Sequence, residues 1–285
     1  MRRETPRHCL LVRHLPPLGL ESTAPDRVSR VATAIAIRNI IQFCDELLDS
    51  ESFDDWSPNG LQLDAANETT AVVTGVSARL SLFEMAAEME ASLVIVHHGI
   101  LHGAGGPIDR RQAARLYELL DNEISLAQYH LPLDAHAEIG NNVLLAEALG
   151  ASVAGRCCPV RGREIGVVGE WQGEGLGLDD LSALMHDVAG QDPLVISAGD
   201  HPVRTAAIVT GAASGEIGTA ADLGLDALIT GEPSESSVAL AEEAGVHLIC
   251  GGHHATETLG IEALGNAVAD QFGIPHHFVN IPNPV

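Results

Sequence analysis

Histidine and carboxylate side chains stand at three separate points of the sequence, each directly after a short apolar run. His97 and His98 follow the first run, Asp134 follows the second, and His253 and Glu257 follow the third. Imidazole and carboxylate together suit first-row transition metals such as Zn, Mn, Fe, Co and Ni better than they suit Ca or Mg. These five residues are therefore candidate metal ligands.

Five ligands are more than one tetrahedral site takes. Two ions roughly 3.5–4 Å apart, bridged by a carboxylate, would use all five ligands and leave positions open for water. We therefore predict two divalent first-row transition metal ions per chain. Such a pair suits a metal-dependent hydrolase that acts on a small-molecule substrate. A non-catalytic protein that stores, inserts or senses metal ions would need the same ligands.

Each signal also has a plainer explanation. Adjacent histidines are commonly ordinary loop residues, and an acidic residue such as Glu257 at the start of a helix commonly caps it. Neighbouring residues of a regular strand face opposite sides, so His97 and His98 are expected to converge only if the chain leaves strand geometry there, which Gly99 permits. A single strand end with His or carboxylate residues can arise by chance, but three such strand ends in one sequence are much less probable.

His130 stands four residues before Asp134 and is not needed to complete the ligand set. If the protein is a hydrolase, His130 is the candidate catalytic acid–base group, because imidazole exchanges protons near neutral pH. Alternatively, His130 orients Asp134 through a hydrogen bond without taking part in chemistry. Among the remaining histidines, which lack convergent spacing, His102 is the one that could line the cavity.

The elements that must position these residues are those of an α/β protein. Ala71–Val76 and Leu93–Val96 are β-branched apolar runs typical of buried strands, and the helical pattern of Leu80–Met89 lies between them. This order predicts a βαβ unit. Ligands of open α/β sheets bind at the carboxyl ends of the strands, which is where His97 and His98 stand.

Two later strands carry the other candidate ligands. A strand over Ile124–Ala127 precedes Asp134, and a strand over Val246–Cys250 precedes the Gly-Gly turn before His253. A helix is expected from His253 to about residue 272. The i and i+4 spacing then places His253 and Glu257 on one helical face.

The βαβ pattern recurs along the chain. Ala71-Val-Val-Thr-Gly75 is echoed by Ala207-Ile-Val-Thr-Gly211, and the later copy ends in Gly231-Glu232 where the first ends in His-His. We predict two related α/β halves with the metal site at strand C-terminal ends between them, although two generic βαβ units could match by coincidence. Residues 31–135 plus 250–285 would form the first domain, which carries the ligands, and residues 136–249 the second.

Residues 1–30 differ from the rest in composition, with six Arg, four Pro and only three acidic residues. We predict a disordered extension or a non-native one that reflects an upstream translation start, and a targeting peptide is a further interpretation. The folded unit is expected to begin near Val31.

The net charge of −24 limits the kinds of molecule that the protein can bind. All 15 basic residues are Arg. A surface this negative repels phosphate backbones and anionic lipid, so we predict neither a nucleic-acid partner nor membrane binding. The lack of Lys excludes a Walker-type phosphate loop. The five Cys form no C-x-x-C pair, which favours reduced thiols and a cytoplasmic protein.

From about Ile41 to Val285 the sequence resembles the NIF-three-like family of dinuclear metal-centre hexameric proteins, which are labelled GTP cyclohydrolase type-two homologues. The motifs that carry the resemblance surround the candidate ligands. They are Asn59-Gly60-Leu61-Gln62, Val94-Ile95-Val96-His97-His98, His130 through Asp134, Gly140-Asn141-Asn142, Leu228-Ile229-Thr230-Gly231-Glu232, the Gly252–Glu257 block and Ile281-Pro282-Asn283-Pro284-Val285.

The resemblance implies that the metal ligands are the five residues already selected and that His130 is a nearby non-ligand histidine. It also implies a homohexamer whose sites face an internal cavity. The family label suggests hydrolysis of a purine nucleotide, as a GTP cyclohydrolase would perform, although fold and site alone do not determine a substrate. One departure is His254, which stands where the family usually has Tyr.

Overall fold

The computed structural model describes residues 33–101 and 107–285. In this part of the chain strands and helices alternate, which confirms the predicted α/β class. The strands are β1 (Ile35–Ala36), β2 (Gly60–Leu63), β3 (Glu68–Thr69), β4 (Val72–Ser77), β5 (Leu93–His98), β6 (Ser125–Gln128), β7 (Ser152–Val160), β8 (Arg163–Glu170), β9 (Leu194–Ile196), β10 (Thr205–Val209), β11 (Ala227–Thr230), β12 (His247–Cys250) and β13 (His276–Phe278). The helices are α1 (Ile37–Leu48), α2 (Leu80–Glu88), α3 (Arg110–Asp121), α4 (Leu131–Ala135), α5 (Asn141–Ala148), α6 (Leu178–Ala189), α7 (Ile217–Asp222), α8 (Ser237–Ala244), α9 (His253–Thr256) and α10 (Thr258–Phe272).

The first of two large sheets has the strand order β13-β4-β5-β6-β2, in which only β2 runs antiparallel to its neighbour. Both faces of this sheet are covered. Leu93 and Ile95 of β5 pack with α1 and α10, whereas Val94 and Val96 pack with α2 and α3. Because both faces are buried, the strand is a continuous apolar run without polar alternation.

The second large sheet has the order β7-β8-β10-β11-β12-β9, with a parallel core of β10, β11 and β12. It is also covered on both faces. Ile208 packs with residues of α5 and α6, and the neighbouring Ala207 packs with residues of α7 and α8. The hairpin of β7 and β8 forms one edge of this sheet, and its turn lies at Arg161 and Gly162.

Two local expectations about the ligand-bearing elements were wrong. Strand β5 does not end before the histidines but continues through His98, which pairs with Ser77 of β4. The helix predicted from His253 to about residue 272 is interrupted at Glu257, whose φ of −110° and ψ of 10° separate α9 from α10. Glu257 therefore occupies the break between two helices.

The units β4–α2–β5 and β10–α7–β11 each consist of two parallel strands joined by a helix. Their relationship as repeats, and the division into two domains, stay predictions. The expectations for residues 1–30 and for His102 lie outside the described residues. Within those residues, none of the helices combines the length and the apolar character that a membrane span requires.

Candidate metal centre

The five candidate ligands come together where strands of the two large sheets end. His97 and His98 are the last residues of β5, and Asp134 lies in the short helix α4 that follows β6. His253 is the first residue of α9, shortly after β12, and Glu257 follows α9. The sequence separates these residues widely, and the carboxyl ends of β5 and β6 in the first sheet and of β12 in the second bring them to one place.

Glu257 is the centre of the group. Its Oε1 lies 3.3 Å from His253 Nε2 and 3.6 Å from His97 Nε2, and its Oε2 lies 3.3 Å from His98 Nε2. The Nε2 atom of His97 is also 3.5 Å from Asp134 Oδ1. One carboxylate therefore faces three imidazoles, and a second carboxylate faces one of them.

These separations fit ligands of a metal better than a hydrogen-bonded network. Tetrahedral ligands with bonds of roughly 2.0–2.1 Å lie about 3.3–3.4 Å from each other. His97 Nε2 and Glu257 Oε2 are buried and have no hydrogen-bond partner in the described part of the protein. Such orphaned polar atoms are costly in a protein interior, and a bound cation would satisfy both.

Two overlapping groups of side chains bring three ligand atoms within 4.8 Å of one another. One group is His97, His98 and His130, and the other is His98, His253 and Glu257. The chain therefore has His and Glu groups that could bind a metal ion. His98 belongs to both groups, so the two groups share one imidazole ring.

Contacts on the far side of each ring orient the imidazoles. His97 Nδ1 donates a hydrogen bond of 2.9 Å to the carbonyl of Tyr129, which leaves Nε2 free to face Glu257. His98 Nδ1 lies 3.3 Å from Ser77 Oγ of the neighbouring strand β4. Although they are strand neighbours, the two rings converge to 4.6 Å between centroids at the strand end. Outer contacts of this kind fix the tautomer and the direction of metal-binding histidines.

The remaining ligands have similar support. Asn141 Nδ2 donates to Asp134 Oδ1 at 2.8 Å, and Glu232 Oε1 lies 3.5 Å from His253 Nδ1. Gly211 has a φ of +69°, and a Cβ atom there would lie 2.5 Å from Glu257 Oε1. Only glycine leaves room for the carboxylate at this point. His254 is directed elsewhere, with its Nε2 at 2.8 Å from Asn280 Oδ1.

Two buried carboxylates, Asp134 and Glu257, affect the pKa values of the histidines around them. Burial by itself would lower the pKa of His97, but Asp134 and Glu257 raise it to about 9. The hydrogen bond to Glu257 raises the pKa of His253 to about 9 despite partial burial. Burial lowers the pKa of His98 to about 3. Both His97 and His253 therefore favour their protonated forms at neutral pH, and a bound metal ion would displace these protons.

His130 lies beside the ligand group and forms a separate pair with Asp55. Its Nδ1 donates a hydrogen bond of 2.9 Å to Asp55 Oδ1, and its backbone N–H donates to Asn59 Oδ1 at 2.8 Å. Burial would raise the pKa of Asp55, but the hydrogen bond and charge of His130 lower it to about 2. The ring centroid of His130 is 5.0 Å from that of His97, so Nε2 remains available next to the ligands.

Four of the five candidate ligands, all except the fully buried His97, line a cavity of about 210 Å³. His98, His130 and Glu257 form part of its wall, and apolar side chains form the opposite part, which includes Val160 and the half-exposed Trp56. This arrangement can place a small molecule against the ligand group. In the described part of the chain, no Arg side chain lines this cavity.

The sequence did not single out Asp55 or Glu232 as site residues. Asp55 lies in a turn-rich loop beside Asp54, and nothing in its local pattern distinguishes the two carboxylates. Glu232 had a usable signal, because it ends the second copy of the βαβ pattern where the first copy ends in His98. A match between strand ends therefore points to Glu232, whereas Asp55 is visible only in three dimensions.

The sequence profile of the Duf34/NIF3 (NGG1p interacting factor 3) family matches residues 35–284. The chain is 41% identical over 252 residues to a protein named GTP cyclohydrolase 1 type 2 homolog from Pseudomonas aeruginosa, covering 88% of this chain and 99% of that one. A relative of the same name from Haemophilus influenzae is 37% identical over 247 residues, covering 85% and 97%.

Solved structures are also similar to this chain. A structure titled protein ybgI, of unknown function, has a TM-score of 0.83 and 37% identity, covering 88% of this chain and all of that one. Reduced HcgD from Methanocaldococcus jannaschii has a TM-score of 0.75 at 20% identity, covering 87% and 98%, which shows a shared fold. With a family profile that spans the described residues almost end to end, the chain belongs to the Duf34/NIF3 family.

Proposed function

We propose that this protein is a metal-dependent hydrolase that binds two divalent first-row transition metal ions through His97, His98, Asp134, His253 and Glu257. The observation that carries the proposal is the position of Glu257, whose two oxygens face three imidazoles at 3.3–3.6 Å. Glu257 and the histidines that its two oxygens face would together hold the ions. When bound, such a pair of ions supplies Lewis acidity that activates water and polarises a substrate oxygen.

The protein itself supplies the proton transfer and the positioning. His130 Nε2 faces the ligand group, while Asp55 holds Nδ1 and so fixes which nitrogen is available. An imidazole in this position can take a proton from water and return it to a leaving group. The apolar side of the cavity, with Trp56 and Val160, offers contact area to the part of the substrate next to the reacting group.

The names of the relatives support a nucleotide or a related small molecule as substrate. The cavity of about 210 Å³ holds the reacting end of such a molecule rather than a whole nucleoside triphosphate. The rest of a nucleotide would extend past Trp56, whose side chain is 54% exposed at the edge of the cavity.

The second candidate is a protein that stores, inserts or senses metal. The lining of the cavity favours it, because the described lining residues offer no Arg to a phosphate group. In this alternative His130 and Asp55 would adjust metal affinity instead of moving protons during a reaction.

The test combines metal analysis with a substrate screen. Elemental analysis of desalted protein from the native host should give about two first-row metal ions per chain. The metal-loaded protein should then hydrolyse at least one compound in a panel of nucleotides and phosphoesters, and His130→Gln should retain metal and lose turnover. Absence of first-row metal would refute the site. Full loading without turnover on any substrate would favour the metal-handling protein.

We also propose that the protein is a cytoplasmic homohexamer without nucleic-acid or membrane partners. The family resemblance supports the hexamer, and the net charge of −24 supports the excluded partners. Light scattering should give about six subunit masses. Monomers at both low and high salt would contradict the hexamer.

A further inference from the structure

Two adjacent cysteines in strand β7 lie outside the metal centre, and their thiols face each other. Residues next to each other in a regular strand point to opposite faces of the sheet. Nevertheless, Cys158 Sγ lies 3.3 Å from Cys157 Sγ, and both residues are buried in the cluster between the second sheet and α7. The backbone must therefore depart from strand geometry at this point.

The departure is at Cys158, which has a φ of +58°. Left-handed backbone is uncommon for a residue with a side chain and persists only where the surroundings hold it. The ladder with β8 does so, because Cys157 pairs with Gly166 and Pro159 pairs with Glu164 on either side of Cys158. The strand thus holds a conformation that brings two thiols together.

Gly166 makes room for this arrangement. A Cβ atom at this position would lie 3.3 Å from Cys157 Sγ and 2.6 Å from a methyl group of Val209. The pair also lies near solvent in the fold, because β7 is the edge strand of its sheet and the next residue, Pro159, is exposed. An edge hairpin opens locally at lower cost than a central strand, and this opening admits a small oxidant.

The two thiols are chemically different. The hydrogen bond that Cys158 donates lowers the pKa of Cys157, and the same hydrogen bond, together with burial, raises the pKa of Cys158. One sulfur is therefore the better nucleophile, and its neighbour keeps a proton. A nucleophilic thiolate next to a resolving thiol is the arrangement of oxidation-sensitive cysteine pairs.

We propose that Cys157 and Cys158 are an oxidation site that closes reversibly to a disulfide between adjacent residues, with a hydroperoxide as the oxidant. The Cys157 sulfur attacks the hydroperoxide, the O–O bond breaks, and Cys157 becomes a sulfenic acid. The other oxygen takes up the proton that the Cys157 thiol loses and leaves as water or alcohol. The Cys158 sulfur then attacks the Cys157 sulfur, the S–S bond forms, and the hydroxyl group leaves as water with the proton of Cys158. Two thiols lose two electrons, and the hydroperoxide gains them.

Trypsin isolates the pair, because Arg156 and Arg161 flank it and the peptide between them, residues 157–161, holds no other cysteine. The full chain is treated with hydrogen peroxide, unfolded, alkylated at its free thiols and digested. The peptide should resist alkylation and be lighter than the dithiol form by two hydrogen atoms. Treatment with dithiothreitol before alkylation should restore both thiols.

Cys44 and Cys250 are internal controls in the same digest, since both are buried and, among the described residues, the hydrogen bond between two thiols joins Cys157 and Cys158 rather than either of them. The pair should be oxidised at least ~10-fold faster than either control. Cys158→Ser should abolish the loss of two hydrogens and leave sulfenic acid at Cys157. The proposal is overturned if both thiols are alkylated as readily as the controls, or if wild-type Cys157 goes directly to sulfinic acid. Peptide mapping of the wild-type chain decides the question even if the variant fails to fold.

Discussion

His130 Nδ1 and Asp55 Oδ1 lie 2.9 Å apart, and the Asp55 side chain is almost fully buried. Its other oxygen accepts the backbone N–H of Leu131 at 3.0 Å, so the carboxylate is tied to both the ring and the chain that carries it. This contact fixes the direction of a histidine that stands beside the ligand group without facing Glu257. His130 is therefore held in place by a residue outside the metal site.

Asp55→Asn should keep the metal content and lower turnover roughly 10–100-fold, the usual cost of an outer-shell change. The amide can accept a hydrogen bond from His130 but lacks the negative charge of the carboxylate, so it holds the ring less firmly. Asp54→Asn is the matched control, because the Asp54 carboxylate is 72% exposed and pairs with Arg161 instead. Equal turnover in the two variants would contradict a positioning role for Asp55.

Glu257→Gln removes the negative charge that faces three imidazoles, at nearly constant side-chain volume. Metal affinity should fall by more than the roughly 10–100-fold that outer-shell changes cost. Competition with a chromophoric chelator measures this loss. Glu262→Gln changes an exposed acid on α10, the helix that follows Glu257, and should leave affinity unchanged. Retention of both metals by Glu257→Gln would show that this carboxylate is not a ligand.

Gly211→Ala tests the space that glycine leaves at the site. The new methyl group would crowd Glu257 Oε1 at 2.5 Å, so metal affinity should fall. Gly224 has the same φ of +69°, and a Cβ atom there would have no neighbour within 4 Å, so Gly224→Ala carries the same backbone strain without crowding. Both variants should lose roughly 1–2 kcal/mol of stability through the left-handed backbone. Equal metal affinity in the two variants would argue against close packing around Glu257.

The raised pKa values of His97 and His253, both about 9, predict how metal binding depends on pH. Both rings are protonated at pH 7 in the metal-free protein, so binding should release about two protons. Affinity should therefore rise with pH and level off above pH 9, where no proton remains to be displaced. Calorimetry in buffers of different ionisation enthalpy counts the protons. Release close to zero at pH 7 would mean that these rings are neutral before metal binds.

The same protons affect the metal-free fold. Because the folded pKa of each ring lies above the ordinary value of 6.5, their stabilising contribution is full below pH 6.5 and disappears as pH rises through 9. Thermal unfolding of chelator-treated protein should therefore occur at lower temperature at pH 9 than at pH 6.5. Metal-loaded protein should lack this decline, since the ions replace the protons.

The sequence predicted the features that depend on residue type and on the order of the strands, namely the fold class and the candidate ligands. The α/β class followed from buried apolar runs, and the proximity of His97 and Asp134 followed from the rule that the carboxyl ends of parallel strands lie at one edge of a sheet. His253 follows a strand of the second sheet, so this rule does not account for its position. Side-chain details were not accessible in this way. A continuous helix was expected at Glu257 because periodicity does not reveal a single residue with non-helical φ and ψ.

Long-range contacts explain most of what the sequence could not provide. Asp55 meets His130 across 75 positions of the chain, and no local pattern distinguishes it from Asp54. The facing thiols of Cys157 and Cys158 depend on a single left-handed residue, which strand propensity argues against. In both cases tertiary packing selects a geometry that local preferences would not.

The ligand group is also divided along the direction of synthesis. His97, His98 and Asp134 leave the ribosome first, and the roughly 120 residues that precede Glu257 take roughly 6–24 s more at ordinary translation rates. Strand β13, which pairs with β4, follows later still. The nascent chain therefore presents two histidines and one carboxylate before the residue that contacts all three imidazoles exists. Discrimination among metals by the complete ligand set can begin only after Glu257 has been synthesised.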